Sequence, residues 1–191
     1  MRAAQIIRKT NETDIKLELA LEGTGQYRAD TGCGFLNHML ELFARHGRFD
    51  LGVRCTGDVE VDYHHTVEDI GIALGQAFAR ALGDKRGVAR YGSFLLPMDE
   101  ALSLVAVDLS GRGLLAMEVA LPSRRVGDFD TELVREFFLA FAREAGVTLH
   151  LRGFCGENTH HVIESLFKGF GRAMKQAVAI DPAFADEIPS S

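Results

Sequence analysis

The sequence is poor in several residues that would point to other kinds of protein. It has no tryptophan, only three cysteines and only four prolines among its 191 residues. The cysteines, Cys33, Cys55 and Cys155, are an odd number without Cys-x-x-Cys spacing, which argues against a disulfide framework or a thiolate zinc site. We therefore interpret them as reduced, small core residues.

The sequence also lacks a long apolar run and an excess of basic residues. No apolar stretch reaches the roughly 18 residues that a membrane span requires, and residues 1–9 do not have the apolar core of a signal peptide. Asp and Glu, at 27, outnumber Lys and Arg, at 21, which gives a formal net charge of −6. Nucleic-acid proteins usually carry a basic face, so we expect no binding to nucleic acid. The missing apolar runs lead us to expect a cytoplasmic protein that does not bind a membrane. Any anionic ligand must then meet a local cluster of bases.

Hydrophobic patterning predicts strands and helices in a similar order in each half of the chain. In the first half we predict strands over residues 3–9, 14–21 and 51–56, helices over 35–47 and 64–82, and a loop over 22–34. In the second half we predict strands over 91–97, 102–109, 114–121 and 147–152, and helices over 132–145 and 160–179.

The two halves are also related by sequence. Adding 96 to the residue number carries Gly57, His64, His65, Glu68 and Gly75 onto Gly153, His160, His161, Glu164 and Gly171. Such a repeat indicates duplication of a strand-rich unit that ends in a long helix. We therefore predict an α+β fold with two similar halves, residues 1–90 and 91–191.

The duplicated motif is a pair of histidines followed three residues later by a glutamate. On a helix, His64 and Glu68 share one face, whereas His65 is turned away by about 100°. The same geometry is predicted for His160, His161 and Glu164. Adjacent histidines are therefore expected to serve different metal ions.

Two further histidines would complete two metal sites. His38 on the first helix and His150 on the strand before Gly153 would give each site three imidazoles and one carboxylate. Such sites suit Mn, Fe, Co, Ni or Zn, and they leave open coordination positions for catalysis. The alternative is that the histidines cap helix starts and form hydrogen bonds in a core, but two copies in register favour metal binding. The seventh histidine, His46, is explained by a favourable interaction with the dipole at a helix end.

Three longer segments resemble imidazoleglycerol-phosphate dehydratase. They are residues 34–40 (GFLNHML), 62–69 (DYHHTVED) and 156–168 (GENTHHVIESLFK). The similarity runs from RKTNET at residues 8–13 to the final helix, and it includes PMDEA at 97–101 and DLSGR at 108–112. The resemblance implies a lyase of histidine biosynthesis that converts imidazoleglycerol phosphate to imidazole-acetol phosphate, in its monofunctional form.

The resemblance also implies a fold, a cofactor and an assembly. The implied fold is an internally duplicated unit in which mixed β-sheets pack against a layer of α-helices, as in domain 2 of ribosomal protein S5. Two Mn²⁺ ions per active site and a large homo-oligomer, a 24-mer with active sites between subunits, are implied as well. The matching metal ligands are His38, His64, His65, Glu68, His150, His160, His161 and Glu164.

Four more residues acquire roles only through the resemblance. Glu12, in the turn after the first strand, matches the family's acid/base residue, although alone it would be read as a solvated carboxylate. Arg90, Arg112 and Lys168 match positions that bind the substrate phosphate, where guanidinium and ammonium groups provide charge-assisted hydrogen bonds. Each alone would be read as a surface base.

Two residues depart from the family pattern. Asn37 stands before His38 where the family usually has Asp, which removes a charged partner from the neighbourhood of the site. Gly113 follows Arg112 where Pro is common. Neither departure removes a proposed ligand.

The implied reaction is difficult because the proton that is lost has no carbonyl beside it. If two metals bind the two ring nitrogens, the substrate ring can be held as an imidazolate that expels the hydroxyl and forms a diazafulvene. Loss of the neighbouring proton then gives the enol.

Two other classes of protein remain as alternatives. A metal-storage or shell protein would explain the His-Glu helices, but such sites tend to be rich in carboxylates with Glu-x-x-His order. A dinuclear hydrolase would use its metals to activate water rather than to bind an azole. Inhibition by a triazole at low concentration would favour the dehydratase over both.

Overall fold

The computed structural model describes residues 1–189, which form two four-stranded mixed sheets, a small hairpin and four long helices. The strands are β1 Ala3–Lys9, β2 Thr13–Ala20, β3 Tyr27–Asp30, β4 Asp50–Gly57, β5 Tyr91–Met98, β6 Ala101–Asp108, β7 Leu114–Glu118, β8 Arg125–Val126, β9 Phe129–Asp130 and β10 Thr148–Cys155. The helices are α1 Gly34–Gly47, α2 His64–Leu82, α3 Leu133–Ala145 and α4 Thr159–Val178, followed by a short 3₁₀ helix, Pro182–Phe184.

The two large sheets have the same topology. Their strand orders are β1-β2-β4-β3 and β5-β6-β10-β7, and in each only the last strand runs parallel to its neighbour. In β2, the buried side chains of Ile15, Leu17 and Leu19 alternate with exposed polar ones, so one face of the sheet packs inward. This arrangement confirms the predicted α+β fold of mixed sheets on a helical layer.

The helices pair across the two halves, α1 with α4 and α2 with α3. Gly75 and Gly171 lie at these crossings, where a Cβ atom would come within 2.8 Å of the Phe141 carbonyl and 2.5 Å of the Phe43 carbonyl, respectively. Glycine therefore permits the close approach of each pair. The pairing brings α1 of the first half against α4 of the second, which carries one of the two histidine pairs.

A ring of phenylalanines, one from each helix, fills the centre of the helical layer. Neighbouring ring centroids are 4.7 to 6.0 Å apart, and all four side chains are fully buried. The ring consists of Phe43, Phe78, Phe141 and Phe170. Because aromatic contacts of this kind add to the burial of apolar area, they help to fix the relative positions of the helices.

Several predictions of local structure need correction. The predicted loop over residues 22–34 contains the edge strand β3, and the strand predicted over 114–121 ends at Glu118. The β8–β9 hairpin was not predicted, because its strands are too short to show a period. Cys33 and Cys55 are buried as predicted, but Cys155 is exposed at the end of β10.

The predicted halves, residues 1–90 and 91–191, stay a prediction, and the last two residues of the second half lie outside the described range. The first sheet uses strands up to residue 57, and the second begins with β5 at Tyr91. Among residues 1–189, no helix is both long enough and apolar enough to cross a membrane.

Candidate metal centre

One group of side chains brings two imidazoles and a carboxylate together at the start of α4. Nε2 of His38 lies 3.3 Å, and Nε2 of His160 lies 3.1 Å, from the same Oε2 of Glu164. The three ligand atoms all lie within 4.8 Å of one another, so a single cation placed among them could bind all three. His38 reaches the group because α1 packs on α4.

The glutamate of this group is buried and held by charged neighbours. Glu164 is only 7% exposed, and burial alone would raise its pKa. The ammonium of Lys168, 2.5 Å from Oε1, and the hydrogen bonds with His38 and His160 outweigh burial, so the pKa of Glu164 is lowered. A buried carboxylate that stays ionised between two imidazoles fits a divalent cation of the Mn or Zn type.

The adjacent histidine of α4 turns toward a different partner. Nδ1 of His161 lies 2.7 Å from Oε2 of Glu100, in the turn between β5 and β6. The other Glu100 oxygen accepts hydrogen bonds from the backbone N–H groups of Glu157 and Asn158. The interaction with Glu100 raises the pKa of His161 and lowers the pKa of Glu100 to about 2. A carboxylate on Nδ1 fixes the ring and leaves Nε2 available to a metal ion.

The histidine pair on α2 has the same arrangement in a more open form. Nε2 of His64 lies 3.8 Å from Oε2 of Glu68, and Nδ1 of His65 lies 2.8 Å from Oδ2 of Asp58. The side chains of the pair and of Glu68 are 41 to 45% exposed. Within residues 1–189, the three-ligand group at α4 is the only one, so the two helix starts do not share a cation inside one chain. We call His64, His65 and Glu68 the first half-site, and His160, His161 and Glu164 the second half-site.

The β8–β9 hairpin lies against both helix starts. The Tyr63 hydroxyl, just before α2, donates a 2.6 Å hydrogen bond to Asp128 in the hairpin, and the N–H of Ser123 donates to Oγ1 of Thr159 at the start of α4. A cleft of about 300 Å³ between the hairpin and α2 is lined in part by His64. A larger cleft of about 600 Å³ on the open face of the first sheet is lined by no histidine.

Glu12 lies near the first half-site. The N–H of Asp58 donates a 3.1 Å hydrogen bond to the backbone carbonyl of Glu12, and the side chain of Asp58 binds His65. This Asp58 hydrogen bond is the main cause of the raised pKa of His65, and the charge of Glu12 adds to it. The backbone of Glu12 is thus hydrogen-bonded to the residue that binds His65, a predicted metal ligand.

The three predicted phosphate-binding residues are not brought together in one chain. Lys168 lies one helical turn after Glu164, in the metal group. Arg90 forms a 2.7 Å ion pair with Asp108 and donates its N–H to the carbonyl of Ala177 near the end of α4. At 1.5 Å per residue, Ala177 lies about 20 Å along the helix from Glu164. Arg112 is exposed in the turn after β6.

Two histidines lie away from both half-sites. His150 is on the exposed face of β10, between Ala106 of β6 and Ala116 of β7, and it is not part of the three-ligand group. His46 is half-buried, and burial lowers its pKa below the usual 6.5. It lies in the last turn of α1, and its predicted favourable interaction with the dipole at that helix end stays a prediction.

The two departures from the family pattern have local explanations. The side-chain oxygen of Asn37 accepts hydrogen bonds from the N–H and hydroxyl of Thr31, so it fixes the chain before α1. A Cβ atom at Gly113 would lie 2.7 Å from the Cα atom of Arg143, because the end of α3 approaches closely there.

Sequence reasoning missed Asp58 and Glu100, the carboxylates that bind the second histidine of each pair. Glu100 lies in the PMDEA segment, which carried the family resemblance without a role for that residue. Asp58 directly follows the duplicated Gly57. A search for acidic residues in the turn before the first histidine pair would have found Asp58. Glu100 lies 60 residues before His160 in the chain, so only the fold reveals its contact with the second pair.

Fold and site together define a class of protein: a duplicated α+β unit whose histidine and carboxylate clusters, at two helix starts, fit divalent metals with open coordination positions. Residues 31–174 match the sequence profile of imidazoleglycerol-phosphate dehydratase. The chain therefore belongs to the imidazoleglycerol-phosphate dehydratase family, and with it to the lyases of histidine biosynthesis.

Full-length relatives and solved structures agree with this assignment. The imidazoleglycerol-phosphate dehydratase of Methylorubrum extorquens is 56% identical over 100% of this chain and 98% of its own length, and that of Azorhizobium caulinodans is 57% identical over 100% and 97%. The crystal structure of the Staphylococcus aureus enzyme superposes with a TM-score of 0.86 at 40% identity, covering 94% of this chain and 99% of that one. The Pyrococcus furiosus structure, solved in complex with (S)-C348, gives 0.82 at 35% identity and covers 93% and 95%.

Proposed function

We propose that this chain dehydrates imidazoleglycerol phosphate to imidazole-acetol phosphate in the cytoplasm, with two Mn²⁺ ions in each active site. The observation that carries the proposal is the convergence of His38, His160 and Glu164 within 4.8 Å in a member of the dehydratase family. Six imidazoles and two carboxylates are the proposed ligands. They are His38, His64, His65, Glu68, His150, His160, His161 and Glu164.

The donor set suits the proposed cofactor. His38, His160 and Glu164 would bind one ion, and the open first half-site offers ligands for another. When bound, two Mn²⁺ ions would supply Lewis acidity that holds the substrate imidazole through both ring nitrogens. Asp58 and Glu100 support this role, because each binds Nδ1 of a histidine and directs its Nε2 outward.

The other residues of the site would bind the phosphate and move the proton. The ammonium of Lys168 is close enough to the metal group to meet the substrate phosphate. Glu12 would take the proton from the carbon next to the ring-attached carbon, since it is exposed and its backbone is hydrogen-bonded to Asp58, which binds His65. Arg90 and Arg112 would bind the phosphate from another copy of the chain.

Two observations support a site shared between copies. Within residues 1–189, no ligand from another helix joins His64 and Glu68 as His38 joins His160 and Glu164. Arg90 also lies about 20 Å from Glu164 in the same chain. We therefore propose that each active site combines the first half-site of one copy with the second half-site of another, in a closed 24-mer.

Metal removal tests the proposed activity. The protein stripped with a chelator should not convert imidazoleglycerol phosphate, and Mn²⁺ should restore conversion together with about two ions per chain. A Glu164→Gln variant, treated in the same way, should not recover. Full conversion by the stripped protein would exclude the metal mechanism. Inhibition by a triazole would separate the dehydratase from a dinuclear hydrolase.

Mixing two inactive variants tests the shared site. His64→Ala and His160→Ala should each be inactive, but subunits dissociated together and reassembled should regain about a quarter of the activity, because random pairing restores that share of intact sites. Each variant reassembled alone is the control. No recovery from a mixed assembly of the same mass as the unmutated protein would show that each site lies within one chain.

A further inference from the structure

The turn that carries Glu12 is tied to α2 by a buried carboxylate. Asp69, which is only 7% exposed, lies on α2 directly after Glu68. One of its oxygens accepts a 2.8 Å hydrogen bond from the guanidinium of Arg8 on β1. The other accepts a 2.5 Å hydrogen bond from the hydroxyl of Thr13 at the start of β2. Asp69 therefore binds both strands that flank the turn.

Hydrogen bonds within the turn carry this restraint to Glu12. The hydroxyl oxygen of Thr10 accepts hydrogen bonds from the N–H groups of Glu12, at 3.1 Å, and Thr13, at 2.9 Å. It also lies 3.2 Å from the Thr13 hydroxyl, and the Thr10 N–H donates to the Thr13 carbonyl. The backbone of Glu12 is thus fixed through the two threonines, and Thr13 is fixed by Asp69.

The second half shows why this support matters for Glu12. Thr13 begins β2 and Ala101 begins β6, so Glu12 and Glu100 each lie in the turn just before the second strand of their sheet. Three donors, from residues 157, 158 and 161, bind the Glu100 carboxylate directly. No hydrogen bond to the Glu12 carboxylate is formed by any residue from 1 to 189. The place of that carboxylate therefore depends on the backbone of its turn.

The residue equivalent to Asp69 binds a strand but not the turn before it. Ser165, which is 96 positions later, forms hydrogen bonds with Ser103 and with the Val162 carbonyl, and not with the β5–β6 turn. The buried carboxylate is therefore present only in the half whose turn glutamate lacks direct partners. Ser103 pairs with Gly153 as Thr13 pairs with Gly57, so a hydrogen bond between helix and strand is present in both halves. Only in the first half is it made by a carboxylate that also binds the neighbouring strand, through Arg8.

We infer that Asp69 is a positioning residue for Glu12: through Arg8 and Thr13 it fixes the turn of residues 10–13, and with it the position of Glu12 near the first half-site. The inference rests on the proposed function, in which Glu12 moves the proton. A displacement of about 1 Å at a reacting group can lower turnover by about 100-fold. Rigid support of this kind is therefore a catalytic requirement.

The hydrogen bond between Thr13 and Asp69 is best removed by a substitution of Thr13. Loss of Asp69 would leave the Arg8 guanidinium without its ion pair, and Nε of Arg8 already lacks a partner among the described residues, so such a variant can fail to fold. Thr13→Val removes the donor to Asp69, whereas Thr13→Ser keeps it. In the full-length, Mn²⁺-loaded protein, Thr13→Val should lower kcat by about 10- to 100-fold, with KM and bound Mn²⁺ nearly unchanged. Thr13→Ser should stay within about threefold of the unmutated protein.

A double variant shows whether Thr13 acts through Glu12. Adding Thr13→Val to Glu12→Gln should cause no further loss of kcat, because the residue being positioned is already inactive. Hydrogen exchange gives a readout that does not depend on turnover. The amides of Glu12 and Thr13 should exchange faster in Thr13→Val, while those of α2 keep their rates.

The possible failures are distinguishable. Unchanged kcat in Thr13→Val, losses that multiply in the double variant, or a loss of kcat with unchanged exchange in the turn would each overturn the positioning role. Near-normal turnover of Glu12→Gln alone would instead overturn the proposed role of Glu12, and the inference with it.

Discussion

The first histidine of the α4 pair, His160, belongs to a three-ligand group, whereas its counterpart His64 on α2 has only Glu68 as a neighbouring ligand within the described residues. The difference arises from the helix that packs beside each pair. Helix α1 brings His38 to α4. Helices α1 and α3 are each followed by a residue with left-handed backbone, Arg48 and Gly146. These residues are 98 positions apart, so the residue of α3 that corresponds to His38 is Glu136. The duplication thus preserved the helix starts but not the third ligand.

The two turns before β2 and β6 differ in a similar way. Glu100 binds His161, whereas in the first half Asp58, just after β4, binds His65, and the Glu12 carboxylate accepts no hydrogen bond within residues 1–189. One turn glutamate therefore orients a ligand, and the other is available for proton transfer. The two halves therefore share one backbone topology but differ in the interactions that their turn glutamates form.

The largest expected effect is a loss of kcat on substitution of Glu12 that substitution of Glu100 does not cause. Glu12→Gln should lower kcat by about 10²- to 10⁴-fold without loss of bound Mn²⁺, because general acid/base catalysis contributes in that range. Glu100→Gln is the matched control, and its turnover should largely recover at saturating Mn²⁺. Steady-state kinetics with metal analysis measures both. Equal losses of kcat in the two variants at saturating Mn²⁺ would show that Glu12 and Glu100 do not have different roles.

A second prediction concerns the carboxylates behind the histidines. Asp58→Asn and Glu100→Gln should each weaken Mn²⁺ binding by about 10- to 100-fold, as loss of a carboxylate partner of a ligating imidazole typically does. Titration against a fluorescent chelator would measure the affinity of each variant. If only Glu100→Gln binds more weakly, the first half-site does not bind metal through His65.

The pH dependence of stability should also reveal the His161–Glu100 pair in the metal-free protein. The raised pKa of His161 adds stability that is complete below the usual pKa of 6.5 and is lost as the pH rises through the folded value. The pKa of Glu100, lowered from 4.5 to about 2, adds stability that is complete above 4.5 and is lost as the pH falls toward 2.

The difference in melting temperature between the unmutated protein and Glu100→Gln should therefore be largest between about pH 4.5 and 6.5. Thermal denaturation in the presence of a chelator would measure it. A difference that stays constant from pH 4 to 9 would show that the pair does not titrate as the structure indicates.

The smallest expected effect is a difference in the rate of thiol labelling between Cys155 and the two buried cysteines. Cys155 is exposed, whereas burial raises the pKa of Cys33 and raises that of Cys55 to about 11. An aromatic disulfide reagent should therefore label one thiol of the native protein quickly at pH 8. The Cys155→Ser variant should react only on unfolding. Fast labelling of Cys55 would mean that the first sheet opens readily.

Much of the fold could be predicted because long amphipathic segments carry a clear period. Helix α2 begins and ends where the pattern placed it, at His64 and Leu82. The edge strand β3 was missed because its residues, Tyr27–Asp30, are mostly exposed and pair through the backbone. Sequence pattern cannot reveal pairing of that kind.

The candidate site was accessible from sequence only in part. Helical geometry placed each histidine beside its glutamate, but the contact of His38 with Glu164 depends on the packing of α1 against α4. The roles of Asp58 and Asp69 depend on turns that approach a helix only in the folded chain. Metal binding by the eight proposed ligands, including His150, stays a prediction.

Anomalous diffraction from crystals grown with Mn²⁺ tests the central claim most directly. The account predicts two manganese peaks per chain, one among His38, His160 and Glu164, and the other bound by the first half-site, with the two half-sites at each active site coming from different copies. A single peak per chain, or an active Mn²⁺-loaded protein with no metal at His64 and Glu68, would contradict it.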